Sequence, residues 1–207
     1  KMNMEQENES ASMYRYKRLT QLLDANGKNT VQKTINILRD QKGLNSANIG
    51  MGNEKAINQL IAHHSIVFEP KKLLVWVSTS PWQLGKYVAY DLKKIFALHG
   101  LKENIEVVDS SLTIAPDSFL VSPAYNNFIL FRTLKQQILD GGTVNISSLL
   151  ESNPGFYDTY LLAGDYFYKH KNYAAALRNY ETALTKVIAT KKEEDHIRGQ
   201  IKKIKSQ

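Results

Sequence analysis

The sequence contains no cysteine among its 207 residues. Disulfide bonds, thiolate metal sites and a cysteine nucleophile are therefore excluded from this chain. The absence does not identify a compartment, because a protein without thiols tolerates both oxidising and reducing surroundings. The localisation stays open.

Long apolar runs are missing as well. No stretch approaches the ~20 apolar residues that a transmembrane helix needs, so the sequence predicts a soluble protein without a membrane span. The opening KMNMEQENES is polar and acidic, unlike the basic and then apolar order of a signal peptide. Because the chain begins with Lys1 rather than methionine, we expect it to be a piece of a longer product.

The charge is biased towards basic residues, with 27 Lys and Arg against 20 Asp and Glu and a formal net charge of +7. Such an excess can indicate nucleic-acid binding. Much of it, however, lies between residues 191 and 205, where lysines alternate with acidic residues as in a solvated helix end. We therefore expect no nucleic-acid partner.

The first third of the chain predicts two short amphipathic helices followed by a hairpin. Apolar spacing indicates a helix that ends at Asn26-Gly27 and a second helix between Thr30 and Gly43. From Ala56 the pattern alternates, which predicts a strand to Phe68, a turn at 69–72 and a second strand at 73–79. Both faces of this hairpin carry apolar residues, so we expect a sheet that is covered on both sides.

Beyond the hairpin, the pattern becomes helical. A short extended piece at 87–90 leads to Asp91 as the N-cap of a helical turn, and residues 104–109 are either a strand or an ordered linker. Ser122 and Pro123 suit the N-cap and first position of a long helix. The sequence thus predicts an α+β fold, with an α+β region at 1–110 that contains helices and an antiparallel hairpin, and an all-α region at 111–207.

Residues 160–184 have the spacing of a helical hairpin. Gly164 is followed at +12 by Ala176, at +16 by Tyr180 and at +19 by Ala183, so small residues allow close helix packing and an aromatic ring fills the gap. This spacing resembles a tetratricopeptide repeat, although Ile188 stands where that family favours proline. A single repeat cannot bury its own face. It is interpreted either as a groove for a partner or as a stabilising cap on the α+β region.

The adjacent histidines His63 and His64 are the first candidates for chemistry. Neighbours on a strand point to opposite faces, so they cannot share a metal ion, and no other metal-ligand spacing is present. His64 shares its predicted face with Asn58, and these two residues are the candidates for a substrate pocket. A hydrogen-bonded structural histidine is the alternative.

No complete active site is predicted from the residues alone. Ser78, Thr79 and Ser80 lack a surrounding G-x-S-x-G elbow, and the sequence GMGNEK lacks the spacing of a phosphate loop. We therefore expect no catalytic residue in this chain, no metal and no cofactor.

The order of elements between residues 14 and 96 carries a resemblance. The helices YRYKRLTQLL and NTVQKTINILRD and a hairpin of the form H-S-x-x-F-x-P…L-W-V resemble the C-terminal portion of acyl-coenzyme A:6-aminopenicillanic-acid acyltransferase-like proteins, which are N-terminal-nucleophile hydrolases. The matching residues are Arg15, Arg18, Leu38, Arg39, Asp40, His64, Ser65, Phe68, Pro70, Leu74, Trp76 and Val77.

The resemblance implies an αββα sandwich in which the hairpin is a sheet wall. It also implies cleavage or transfer of an amide-linked acyl group by an N-terminal cysteine, with the α-amino group of that cysteine as base. This chain lacks that cysteine, so by itself we expect it to be inactive. The expected partners are the upstream part of the same protein, or its other processed subunit, and a small amide or acyl substrate. The alternative is a non-catalytic interaction module that docks through its helical hairpin.

Overall fold

Side-chain caps fix where most of the helices begin. The computed structural model describes residues 10–98, 100 and 105–206. Within these, seven α-helices start at a residue whose side chain accepts a hydrogen bond from the backbone of the first turn. These N-caps are Ser10, Thr30, Asp91, Ser122, Asn145, Asn172 and Thr190. The predicted caps Thr30, Asp91 and Ser122 are confirmed.

The described residues form eight α-helices and one antiparallel sheet of four strands, so the predicted α+β class is confirmed. The strands are β1 (Ile66–Glu69), β2 (Leu74–Ser78), β3 (Tyr87–Asp91) and β4 (Val108–Ile114). The helices are α1 (Ala11–Asn26), α2 (Val31–Leu38), α3 (Leu92–Phe96), α4 (Pro123–Leu139), α5 (Ile146–Ser152), α6 (Tyr157–Lys169), α7 (Tyr173–Ala183) and α8 (Lys191–Lys205). Two short 3₁₀ turns lie at Leu44–Ser46 and Ser118–Val121.

The sheet is a meander in which each strand pairs with the next along the chain. Val67 lies opposite Trp76, and Trp76 lies opposite Ala89, so these three side chains share one face. The indole of Trp76 also donates to the carbonyl of Leu112, 2.9 Å away in β4. β4 runs through residue 110, and the boundary predicted there lies inside the strand.

The strand predicted from Ala56 begins ten residues later than expected, at Ile66. The physical reason is a local turn: the side-chain oxygen of Asn58 accepts the backbone N–H of Leu60 at 2.9 Å, and Leu60 adopts a positive φ of 54°. A side chain that bonds its own backbone two residues on competes with strand pairing. Alternation of residue types alone does not reveal this turn.

One face of the sheet packs on α2. The core there consists of Ile35 from α2 and, from the sheet, Val67, Trp76, Tyr87 and Ala89, with Val31, Leu38, Leu74 and Ile114 around it. A larger core joins helices α4 to α8 and takes in Leu60 and Leu84 from the loops beside the sheet. The loops therefore connect the sheet to the helical region.

Two buried amides reinforce that connection. The side chain of Asn153 donates to the carbonyl of Met51 and accepts its N–H, at 2.8 and 3.0 Å. The amide of Asn53 donates to the carbonyls of Ile49 and Val187, at 2.9 and 2.8 Å. Because a buried amide is costly unless it is paired, these bonds fix the 48–53 loop against the helices.

The helical hairpin of α6 and α7 closes around Tyr180. Its ring is fully buried and lies directly against Gly164, where an added Cβ would come within 2.5 Å of a ring carbon. The hydroxyl of Tyr180 donates to the carboxylate of Asp165 at 2.6 Å. Ala176 and Ala183 are fully buried beside the ring. The aromatic ring thus fills the gap that the small residues leave.

We predict opposite effects for two glycine substitutions in helices. Gly164→Ala should destabilise the chain by about 1–3 kcal/mol, because the new methyl group overlaps the Tyr180 ring. Gly199→Ala in α8 meets no atom within 4 Å and should stabilise by up to about 1 kcal/mol, since alanine favours a helix. Urea unfolding measures both. Equal effects of the two changes would contradict the packing described for Tyr180.

Candidate functional site

Two adjacent charged residues after α2, Arg39 and Asp40, connect the helices to the sheet. The Asp40 carboxylate receives two hydrogen bonds from Arg18 of α1, from Nε at 2.8 Å and from Nη2 at 2.9 Å. The Arg18 side chain is almost completely buried. Hydrogen bonding to Asp40 raises the pKa of Arg18, although burial opposes this. A paired, two-point contact of this kind fixes the position of α1 on the chain that follows α2.

Arg39 points the other way and binds the backbone of two loops. Its Nη2 donates to the carbonyls of Gly85 and Ala115, at 2.7 and 2.9 Å, and its Nε donates to the carbonyl of Gln83 at 3.3 Å. The guanidinium lies 5.2 Å from the centre of the Tyr87 ring. Burial lowers the pKa of Arg39, and only Asp117, 4.0 Å from Nε, opposes that shift with a full negative charge.

The second face of the sheet is apolar and is only partly covered by the described residues. Ile66, Phe68, Val75, Val77, Val88 and Tyr90 share this face by the strand register. Phe68 is 63% exposed and Ile66 is 46% exposed. Val75 is buried at 9% exposure and Val77, Val88 and Tyr90 are half-buried, although none of the four belongs to the two cores. We call these six residues the open face.

The open face bears on the expectation that the sheet is covered on both sides, which stays a prediction. The hairpin does carry apolar residues on both faces, but within the described part of the chain α2 covers one face only. Exposed contiguous apolar surface on a folded unit usually marks a contact with another protein surface. A flat face of branched and aromatic side chains is the type of surface against which a second sheet packs in a sandwich. The candidate site is therefore a surface that another part of a larger structure can cover.

The two predicted pocket residues occupy different environments. Asn58 is buried and donates to the carbonyl of Trp82 at 3.0 Å, in addition to its bond with Leu60. His64 is exposed and precedes β1, so it does not share a strand face with Asn58. Their role in a substrate pocket stays a prediction. The next residue, Ser65, is tied to the sheet: its N–H donates to Ser78 Oγ at 2.7 Å, and its hydroxyl is bonded to that of Tyr87.

A cluster of two half-buried carboxylates around the buried Tyr157 was not predicted from the sequence. The hydroxyl of Tyr157 donates to Glu193 at 2.7 Å and lies 3.5 Å from both carboxylate oxygens of Glu54. Burial raises the pKa of Glu54, and the nearby charges of Glu193 and Asp158 raise it further. Burial also raises the pKa of Tyr157. Residues 54, 157 and 193 are far apart in sequence, so no local motif could have indicated the cluster.

Neither metal binding nor membrane insertion finds support in the described residues. No group of three or more His, Asp or Glu side chains there is arranged to hold a metal ion. None of the described helices has both the length and the apolar character needed to cross a membrane.

No protein-family model matches the chain, and comparison with curated proteins and with solved structures also finds no match.

We predict that Asp40→Asn lowers the free energy of unfolding by about 3 kcal/mol, because it leaves the Arg18 charge buried without a carboxylate. The matched control is Glu181→Gln, whose partner Lys205 is about half exposed, and it should cost less than about 1 kcal/mol. Urea unfolding of both variants measures the difference. A loss for Asp40→Asn no larger than that of the control would show that the buried pair does not hold α1 in place.

We predict that Glu54→Gln changes the pH dependence of stability. The folded-state pKa of Glu54 is raised above 4.5, so the free energy that this carboxyl contributes is present at acid pH and is lost as the pH rises through its folded pKa. Relative to the wild type, Glu54→Gln should therefore gain stability as the pH rises from acid to neutral. Unfolding by urea at several pH values measures this, with the exposed Glu151→Gln as control. A constant difference across this range would contradict the raised pKa of Glu54.

Proposed function

We propose that this chain is the C-terminal segment of an amide-bond hydrolase or acyltransferase of the N-terminal-nucleophile type, whose cysteine nucleophile lies outside this chain. The observation that carries the proposal is the open face. In the αββα arrangement, each sheet has helices on one side and the other sheet on its second side. The chain supplies one such half, a sheet with α2 on one face and apolar side chains on the other.

The fit extends to the residues that carry the resemblance. Arg18 and Asp40, which belong to it, form the buried pair between α1 and the end of α2. Arg39 joins those helices to the loops that follow β2 and β4. Phe68 and Val77 lie on the open face, whereas Trp76 lies on the covered face. The residues that carry the resemblance thus support the sheet and its helices rather than supplying a reactive group.

In this proposal, the covering layer is a second sheet that carries the nucleophile. The hairpin serves as a wall beside the substrate, a small amide or acyl compound. His64 remains available at the start of β1 because it is exposed. Asn58 instead holds the 56–60 turn through its two backbone bonds. Asn58 would therefore contribute to the pocket by fixing the position of that turn.

A second candidate function is a protein-interaction module, and one observation favours it. A surface cleft of about 590 Å³ lies between α7 and α8, with Leu184 and Ile201 as apolar lining and Arg198, Lys202 and Lys205 as cations. Against this, the 48–53 loop is bonded to the helices through Asn53 and Asn153. Those bonds favour the interpretation of the helices as a stabilising cap on the sheet.

The test uses Phe68→Lys in the full natural gene product, with Tyr16→Lys as the matched control. Both side chains are 63% exposed in this chain, but only Phe68 lies on the open face. In the isolated chain both changes should alter stability by less than about 1 kcal/mol. In the full product, Phe68→Lys would place a charge between two sheets and should lower hydrolysis of a fluorogenic amide panel by at least about tenfold.

Two results would count against the proposal. One is a full product that retains an intact N-terminal cysteine but hydrolyses none of the amides. The other is equal activity of the Phe68→Lys and Tyr16→Lys proteins, which would show that the open face stays exposed to solvent. Binding of a partner by the full chain, lost when Ile201 is changed to Asp, would instead support the interaction module.

A further inference from the structure

A polar cleft lies where the end of α2 meets the helical region. Its volume is about 500 Å³, which is within the size range of small-molecule sites. The buried Arg39 and the exposed Lys42 both line it. Met51, Phe119 and Ala124 add apolar lining. The cleft therefore combines two cations and an apolar wall with the carboxylates of Asp40 and Asp117.

The charge on Arg39 is incompletely compensated. The residue is 8% exposed, and its Nε and Nη2 atoms bind three backbone carbonyls. Nη1 forms no hydrogen bond with the described residues. It is also not among the fully buried polar atoms without a partner, so it keeps some exposed surface. Arg39 is itself among the residues that line the cleft. A buried cation of this kind is stabilised by an anion that brings its own acceptor oxygens.

The carboxylates near the cleft do not fully compensate the positive charge of Arg39. Asp40 is engaged by both Nε and Nη2 of Arg18. Asp117 lies at 4.0 Å from Nε of Arg39, the outer limit of an ion pair, and its other oxygen accepts the N–H of Phe119 at 2.8 Å. Arg39 and Lys42 line the cleft together with Asp40 and Asp117. Arg18, which does not line the cleft but pairs with Asp40, brings the local count to three cations and two carboxylates. The local excess is one positive charge.

We propose that this cleft binds a small organic carboxylate, with the carboxylate oxygens at Arg39 Nη1 and towards Lys42 and the apolar end against Met51 and Phe119. An aliphatic tail suits that wall, and planar guanidinium groups suit carboxylate oxygens. The proposal concerns binding to this chain alone. It does not depend on the amide-hydrolase proposal, since neither a nucleophile nor a second sheet is needed.

The experiment titrates the chain with straight-chain carboxylates from acetate to octanoate and follows binding by calorimetry. The matched probes are primary amides and alkylamines of the same length. We expect saturable binding of the carboxylates that strengthens with chain length and weakens with added salt. Amides and amines of equal length should bind at least about tenfold more weakly, because they bring no negative charge.

Two variants locate the binding. Ala124→Phe places a ring in the cleft from the exposed first turn of α4 and should abolish binding, with the helix content unchanged by circular dichroism. The control Asn126→Phe, exposed on the same helix but outside the cleft lining, should bind like the wild type. Lys42→Gln should weaken carboxylate binding by about three- to tenfold without affecting the fold.

Three outcomes would overturn the proposal. The first is an absence of saturable carboxylate binding to the wild-type chain. The second is amide or amine binding as strong as that of the matched carboxylate, which would show that the charge of Arg39 is not used. The third is wild-type affinity in both Ala124→Phe and Lys42→Gln, which would place any binding outside the cleft.

Discussion

The packing of the helices on the sheet depends on two neighbouring charged residues, Arg39 and Asp40, whose side chains contact different parts of the chain. Asp40 holds α1 through the two hydrogen bonds from Arg18. Arg39 holds the chain beyond β2 and β4 through the carbonyls of Gly85 and Ala115. Because both contacts come from neighbouring residues after α2, the end of that helix fixes α1 and the sheet relative to each other. Each charge is costly to bury without its partners, so the junction has little freedom to rearrange.

This junction leaves the sheet with one covered and one open face. α2 lies on the side of Val67, Trp76 and Ala89, and the apolar residues on the other side lie against neither core. A folded unit with such a face is stable because its cores lie elsewhere, on α2 and among helices α4 to α8. Phe68 and Ile66 are exposed, and in the proposed function they contact the further layer.

Local signals in the sequence were sufficient for most of the fold, because they act over a few residues. Thr30, Asp91 and Ser122 cap the helices that they were expected to cap. The predicted start of the first strand at Ala56 was wrong, because the Asn58 side chain bonds its own backbone and forms a turn that alternation does not encode. The acidic cluster at Tyr157, and the cleft that Arg39 and Ala124 share, join residues distant in sequence, and only the folded chain brings them together. For the same reason the sequence indicated two apolar hairpin faces but not which of them stays open.

The most direct test of the central claim is the intact mass and N-terminal sequence of the full natural gene product purified from its source. The account predicts a mature protein that contains this segment together with a chain beginning in cysteine, the nucleophile of the sheet that covers the open face. A natural product without any such N-terminal cysteine would contradict it. The open face would then have to serve the binding of a separate partner.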